Sequence, residues 1–390
     1  MLSADKRQKE GVTTVADLKE LRERIDRIDR EMVRLYEERM RTCAEVGEYK
    51  ILNGKKVFDR QREREKIAAV LSQTEGELNK KGVQELFELL MAVSRKKQYQ
   101  MLTEHGELGR LPFIGVDDVD WKNSRVVFQG TEGSYSQEAM FRYFGTDIRN
   151  FSVQKFRDAM EVIEEGSADF AVLPIENSSA GTVDEVIDLL VEFENYIVDE
   201  LVLPVRHMLA GIPGASLGGL REVYSHPQAL MQSARYLDAH RDWQQISVAN
   251  TAVAAKSVLE EQDPTKAAIC SEHAAKVYGL QILEREINDN SNNSTRFIIV
   301  TNQKIFLKKA SRISICFEVP HESGSLYHIL SHFIFNDLNM TKIESRPLEG
   351  RPWEYRFFVD FEGNMADPAV KNAVRGLREE ALNLRILGNY

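Results

Sequence analysis

The first 111 residues of this chain contain no proline; Pro112 is the first of ten in 390 residues. Nothing in that stretch forces a break in a long helix. Cysteine is scarce, and Cys43, Cys270 and Cys316 are odd in number and far apart. That argues against a disulfide framework or a zinc cluster and makes a reducing cytoplasm the default compartment. No apolar run approaches the ~18 residues of a membrane span. The opening MLSADKRQKEG has no apolar core of a signal peptide. A basic surplus is absent too: 51 Lys and Arg against 61 Asp and Glu leave -10, the wrong sign for a nucleic-acid binder.

What is present is a soluble globular composition, 43% hydrophobic and 29% charged, long enough for two to four domains at roughly 100–200 residues each. The charge is uneven. Residues 1–105 hold 23 basic and 20 acidic residues, +3, and the rest hold 28 and 41, -13. Two kinds of module are fused.

The first module reads as helices. Leu18, Leu21, Ile25, Ile28, Met32 and Leu35 recur at alternating steps of three and four, a coiled-coil type of seam. Continued, the seam reaches Arg39 where an apolar residue is due. Lys50, three turns on, points nearly the same way. A second helix is expected over Arg60–Gln73. A third is expected from Gly82 to Leu102, with Ser94 and Gln98 on one face. A first helix of ~30 residues spans roughly 45 Å and needs a partner of similar length, so a symmetric dimer is the economical solution. Spacing alone leaves Arg39 equally compatible with a snorkelling or ion-paired surface arginine.

The residues Leu21-Arg22-Glu23-Arg24-Ile25-Asp26, Glu38-Arg39, Val46-Gly47-Glu48-Tyr49-Lys50, Asp59-Arg60-Gln61-Arg62-Glu63, Ser94 and Gln98 resemble an all-helical chorismate mutase of the dimeric, intertwined type. The resemblance implies that Arg39 and Arg62 clamp substrate carboxylates and that Arg22 reaches in from the partner. Lys50 and Gln98 would donate to the ether oxygen. Glu63 and Asp59 would hold the substrate hydroxyl, with Ser94 at the rim. The chemistry fits these residue types: a pericyclic rearrangement of a dianion needs positioning and charge stabilisation, with no nucleophile, metal or cofactor. Arginine forks suit carboxylates.

Residues 106–124 lack helical periodicity and read as a linker between the helical module, 1–105, and the remainder of the chain. Strands and helices then alternate over 125–303, implying α/β layers. Strands are expected at Arg125–Gln129, Phe170–Ile175, Glu222–Tyr224, Ile246–Ala249, Ala267–Ile269, Gln281–Ile287 and Ile298–Thr301, the last opened by Thr295. Several carry Ser, Thr or Asn at their ends, which ordinary N-capping explains as readily as anion binding.

Pro174-Ile175-Glu176-Asn177-Ser178-Ser179-Ala180-Gly181-Thr182-Val183, Ser225-His226-Pro227-Gln228 and Asn293-Ser294-Thr295-Arg296-Phe297 resemble a prephenate dehydratase. That family folds as two α/β lobes, like a small periplasmic binding protein, with the site in the cleft. The resemblance makes Thr295 the catalytic hydroxyl and Arg296 a carboxylate partner. It makes Glu176, Asn177, Ser178, Ser225 and Gln232 cleft residues. His226 before Pro227 at a helix start reads as structural rather than as a general acid.

The last segment, 304–390, reads strand, helix, strand, strand, helix, strand: Arg312–Val319, Ser325–Phe335, Met340–Arg346, Tyr355–Glu362, Pro368–Leu382 and Leu384–Leu387. That is a ferredoxin-like order. Gly324-Ser325-Leu326 and Glu344-Ser345-Arg346-Pro347 resemble the fingerprints of an ACT domain. The resemblance implies that they bind L-phenylalanine.

Together the resemblances imply a cytoplasmic bifunctional enzyme of phenylalanine biosynthesis, converting chorismate to prephenate and then to phenylpyruvate under feedback inhibition by phenylalanine. It would act as at least a homodimer, with no cofactor, metal, nucleic acid or membrane partner. Two alternatives stay open: an arogenate dehydratase on the same scaffold, and a non-catalytic amino-acid sensor.

Overall fold

The computed structural model describes residues 18–105, 112–119 and 121–390. They fall into two compact units, one ending at Leu108 and the other beginning at Gly109. The N-terminal segment expected to lack a signal peptide, and residues 106–111 and 120 of the expected linker, lie outside the described residues.

The first unit consists of α1 (Leu18–Leu52), α2 (Arg60–Leu71) and α3 (Glu77–Glu104). At 35 residues, α1 is roughly 52 Å long. Its seam residues Leu21, Ile25, Ile28, Met32 and Leu35 are 41–55% exposed within one chain. Only its C-terminal end is covered: Ile51 packs with Val57, Tyr99, Met101 and Leu102. Gly47 permits this approach, since a Cβ there would stand 3.0 Å from Gln98 Cγ. The start of α2 is fixed by Asp59, whose carboxylate accepts the Arg62 backbone N–H.

In the second unit, strands Tyr196–Pro204, Ser294–Thr301, Phe170–Asn177, Arg125–Gln129 and Arg149–Val153 lie side by side in that order. They form one lobe. A second lobe holds Gln281–Glu284, Met208–Gly211, Lys266–Cys270, Glu222–Ser225 and Gln244–Ser247. The chain crosses between lobes after Pro204 and again before Ser294. Strands Arg149–Val153, Tyr196–Pro204 and Met208–Gly211 and the helix Phe156–Glu164 were not among those expected. Met208–Gly211 is buried on both faces, so it carries no alternation to read. The expected linker is not all irregular: Ile114–Val116 is a strand paired in parallel with Ile305–Leu307.

The C-terminal segment has the order strand, helix, strand, strand, helix, strand over Arg312–Asn389. Its first strand, Arg312–Glu318, lies between the third and the last, and the second, Met340–Leu348, is at the edge. The last strand, Leu382–Asn389, touches Tyr196–Pro204 through Gly388 and Ile197. The segment thereby extends the sheet of the first lobe, and one core runs through both: Ile197, Ile298 and Val300 pack with Cys316, Phe358, Leu387 and Tyr390.

Candidate active sites

In the helical unit Arg39 is half-buried. Its guanidinium donates to Ser94 Oγ at 2.7 Å and to the Leu90 carbonyl at 3.1 Å. Gln98 is buried on the same face of α3; its Nε2 donates to the Cys43 carbonyl at 3.4 Å and its Oε1 has no partner. Lys50 Nζ donates to the Val57 carbonyl at 2.6 Å. Arg39, Ser94 and Gln98 are thus brought together between α1 and α3. Arg22 and Arg62 are exposed on one copy of the chain, and Asp59 is occupied as the α2 cap. Glu63 is held by a residue the sequence reading passed over: Arg95 Nη1 stands 2.5 and 2.6 Å from its two carboxylate oxygens.

In the second unit Thr295 and Asn177 are direct cross-strand neighbours, as are Arg296 and Glu176. Successive strand residues point to opposite faces, so the two pairs are separated by the sheet. On one face Asn177 Nδ2 donates to Thr295 Oγ1 at 3.0 Å and to Asn293 Oδ1 at 3.0 Å. Asn177 Oδ1 accepts the Ser179 and Ala180 backbone N–H groups, so the amide has one orientation. Asn293 is buried and its Nδ2 has no partner, leaving a donor beside the threonine. Ser178 accepts the Ser294 N–H at 3.0 Å.

On the other face Arg296 is surrounded by carboxylates: Glu176 at 2.9 Å, Glu200 at 3.2 Å and Asp360 at 3.3 Å. Burial works to lower its pKa, but Tyr390, Asp360, Glu200 and Glu176 together outweigh it and raise it. The resemblance makes Arg296 a substrate carboxylate partner and Glu176 a cleft residue; in this structure the two pair with each other on the face of the sheet opposite Thr295. Strand alternation turns both toward the C-terminal segment. Lys342 from that segment pairs with Glu176 at 3.3 Å. Burial works to raise the Glu176 pKa, but Lys342 and Arg296 outweigh it and hold the carboxyl below its usual range.

Ser225 is fully buried and donates its hydroxyl hydrogen to the Ile269 carbonyl at 2.7 Å; it ties two strands and does not donate into a cleft. Gln232 accepts from His207 Nε2 at 2.9 Å, leaving its amide nitrogen to donate. His207 is buried at the crossing between lobes, and its Nδ1 lies 3.1 Å from the Tyr135 hydroxyl. His226 caps the helix Pro227–Met231 by accepting the Gln228 N–H, the structural role expected. Burial pushes the Cys270 thiol up to about 12 and Cys316 up to about 11, so neither is a thiolate near neutrality.

In the C-terminal segment Gly324, Ser325 and Leu326 line a cavity of about 440 Å³ with Tyr327, Trp353 and Tyr355. Gly324 begins the helix Ser325–Phe335 at φ +83°, a conformation that favours glycine. Glu344, Ser345, Arg346 and Pro347 do not line this cavity. Glu344 accepts from Thr182 at 2.8 Å, and Arg346 pairs with Asp184 at 2.6 Å and Asp188 at 2.5 Å. In one chain this part of the edge strand Met340–Leu348 grips the first lobe. Among the described residues no helix is long and apolar enough to cross a membrane.

The chain matches two family profiles, chorismate mutase type II over residues 21–99 and prephenate dehydratase over residues 126–305. It is 30% identical over 385 residues to a bifunctional chorismate mutase/prephenate dehydratase of Escherichia coli K12, spanning 97% of each chain. It is 39% identical over 277 residues to arogenate dehydratase/prephenate dehydratase 2 of Arabidopsis thaliana, spanning 68% of this chain and 72% of that one. Among solved structures, the prephenate dehydratase of Arthrobacter aurescens in complex with L-Phe superposes with a TM-score of 0.64 at 29% identity. That match covers 68% of this chain and 89% of the other.

Proposed function

This chain belongs to the bifunctional chorismate mutase/prephenate dehydratase family, and from that premise we propose which of its residues perform the two reactions and how they are regulated. It is a chorismate mutase and a prephenate dehydratase of phenylalanine biosynthesis.

The mutase site is completed by a second copy. The exposed seam of α1 is covered by the partner's α1, which also carries Arg22 into the site. Arg39 and Arg62 hold the carboxylates of chorismate. Lys50 and Gln98 donate to the ether oxygen as its charge develops, Ser94 holds Arg39, and Glu63 accepts the substrate hydroxyl.

The dehydratase must expel CO2 and the ring hydroxyl of prephenate, and the hydroxyl leaves as water once it takes up a proton. The observation that carries this assignment is the Asn177–Thr295 hydrogen bond. With Asn177 donating to Oγ1, the Thr295 hydroxyl hydrogen is directed elsewhere, and it is offered to the leaving oxygen. The amide nitrogens of Asn293 and Gln232 supply further donors.

The C-terminal segment is a ferredoxin-like ACT domain, and phenylalanine binds in the cavity at Gly324–Leu326. The single discriminating assay feeds chorismate and follows phenylpyruvate with and without phenylalanine. Prephenate production that stops there, with turnover of added arogenate, would replace the dehydratase reading by the arogenate one. Turnover insensitive to phenylalanine would remove the regulatory reading.

A further inference from the structure

We propose that Arg95 is a positioning residue of the mutase site: it holds Glu63 as an oriented carboxylate against the substrate hydroxyl. The inference rests on the reading that Glu63 accepts that hydroxyl. Arg95 follows Ser94 on α3, and its side chain is only 9% exposed. One guanidinium nitrogen meets both Glu63 oxygens, and the guanidinium lies over the Phe58 ring at 5.0 Å. Contacts from two elements therefore fix its position, the α2 carboxylate and the aromatic residue just before α2.

The chemistry gives this pairing a purpose. Chorismate brings two carboxylates, and a third carboxylate in the same site repels them unless a cation offsets it. A buried guanidinium does so without titrating. Arg95 thus acts through Glu63, with no part in any bond that forms or breaks.

The test uses the full-length chain. Glu63→Gln, Arg95→Met, Arg95→Lys and the double variant Glu63→Gln/Arg95→Met are assayed for chorismate turnover. Dehydratase turnover of added prephenate and the thermal melt report folding. Glu63→Gln with normal mutase kcat/KM overturns the reading of Glu63 itself. If Glu63→Gln is impaired, Arg95→Met should raise the KM for chorismate roughly tenfold or more. Arg95→Lys should recover part of the loss, and the double variant should be no worse than Glu63→Gln. An Arg95→Met kcat/KM within twofold of the parent, or losses that add in the double variant, would overturn the positioning role. Should Arg95→Met not fold, Arg95→Lys carries the test: parental kinetics in that variant would refute the need for a guanidinium over Phe58.

Discussion

Arg296 and Asp360 form an ion pair at 3.3 Å that ties the strand of Thr295 to the C-terminal domain. Asp360 is in turn held by Ser314, whose hydroxyl lies 2.7 Å from that of Tyr390. Lys342 adds a second tie, to Glu176 and to the Thr182 hydroxyl. Both ties lie across the sheet from the Thr295–Asn177 face.

Deletion of Ser311–Tyr390 should therefore spare the chemistry but not the stability. It strips Phe358, Leu387 and Tyr390 from a core shared with the first lobe and removes one of three carboxylates from a buried arginine. Dehydratase turnover should persist without phenylalanine inhibition, and the melting temperature should fall by several degrees. The milder Lys342→Met should leave basal turnover intact and raise the phenylalanine concentration for half-inhibition, because coupling needs contacts that differ between states. Unaltered inhibition in Lys342→Met would show that the signal travels by another route.

Asn177→Asp replaces the donor to Thr295 with an acceptor of the same size. The Thr295 hydroxyl would then donate to the new carboxylate instead of to substrate. Prephenate turnover should fall on the order of a hundredfold with mutase turnover unchanged. Thr295→Ser should keep partial activity and Thr295→Ala should lose it. Equal behaviour of the Ser and Ala variants would mean that Thr295 acts by packing.

His207 gives the dehydratase unit an acid limit. Burial lowers its pKa from 6.5, opposed by the bond to Gln232. The unfolded chain therefore takes up a proton below pH 6.5 that the folded chain resists. Stability is complete above that pH and declines as pH falls through the window below it, by at most ~1.4 kcal/mol per pH unit. His207→Gln removes the titration, so its melting temperature should vary less than the parent's from about pH 8 to about pH 5.5. Parallel curves for the two proteins would contradict this.

The sequence motifs locate the strands Phe170–Asn177 and Ser294–Thr301, and strand alternation decides which face each of their residues takes. Thr295 and Arg296 are adjacent in the chain, as are Glu176 and Asn177, so motif reading assigns each pair to one site. A strand sends neighbours to opposite faces, and only the register shows which of each pair meets the other. Arg95 went unread because Ser94-Arg95-Lys96-Lys97 resembles a solvated helix face, whereas Arg95 and Lys96 are both buried. His207 gave no signal: its partners Tyr135 and Gln232 are remote in sequence. The helical unit was more legible, because its 3-4 seam is local, although α3 starts at Glu77, five residues before the Gly82 expected.

That seam yields the sharpest test of the assembly. Leu21, Ile25, Ile28, Met32 and Leu35 are left 41–55% exposed by one chain, and Arg22 stands among them, on α1, while Arg39 is held against α3 by Ser94. If each site takes Arg39 from one protomer and Arg22 from the other, Arg22→Ala and Arg39→Ala homodimers should each lose mutase activity on the order of a hundredfold. A mixed dimer has one site lacking both arginines and one retaining both. Statistical exchange of equal amounts makes half the dimers mixed, so roughly a quarter of all sites should be intact. Mutase turnover of the mixture should recover toward that fraction, while dehydratase turnover stays constant throughout. Mixed dimers verified by mass that show no recovery would place Arg22 in its own protomer's site, or in none.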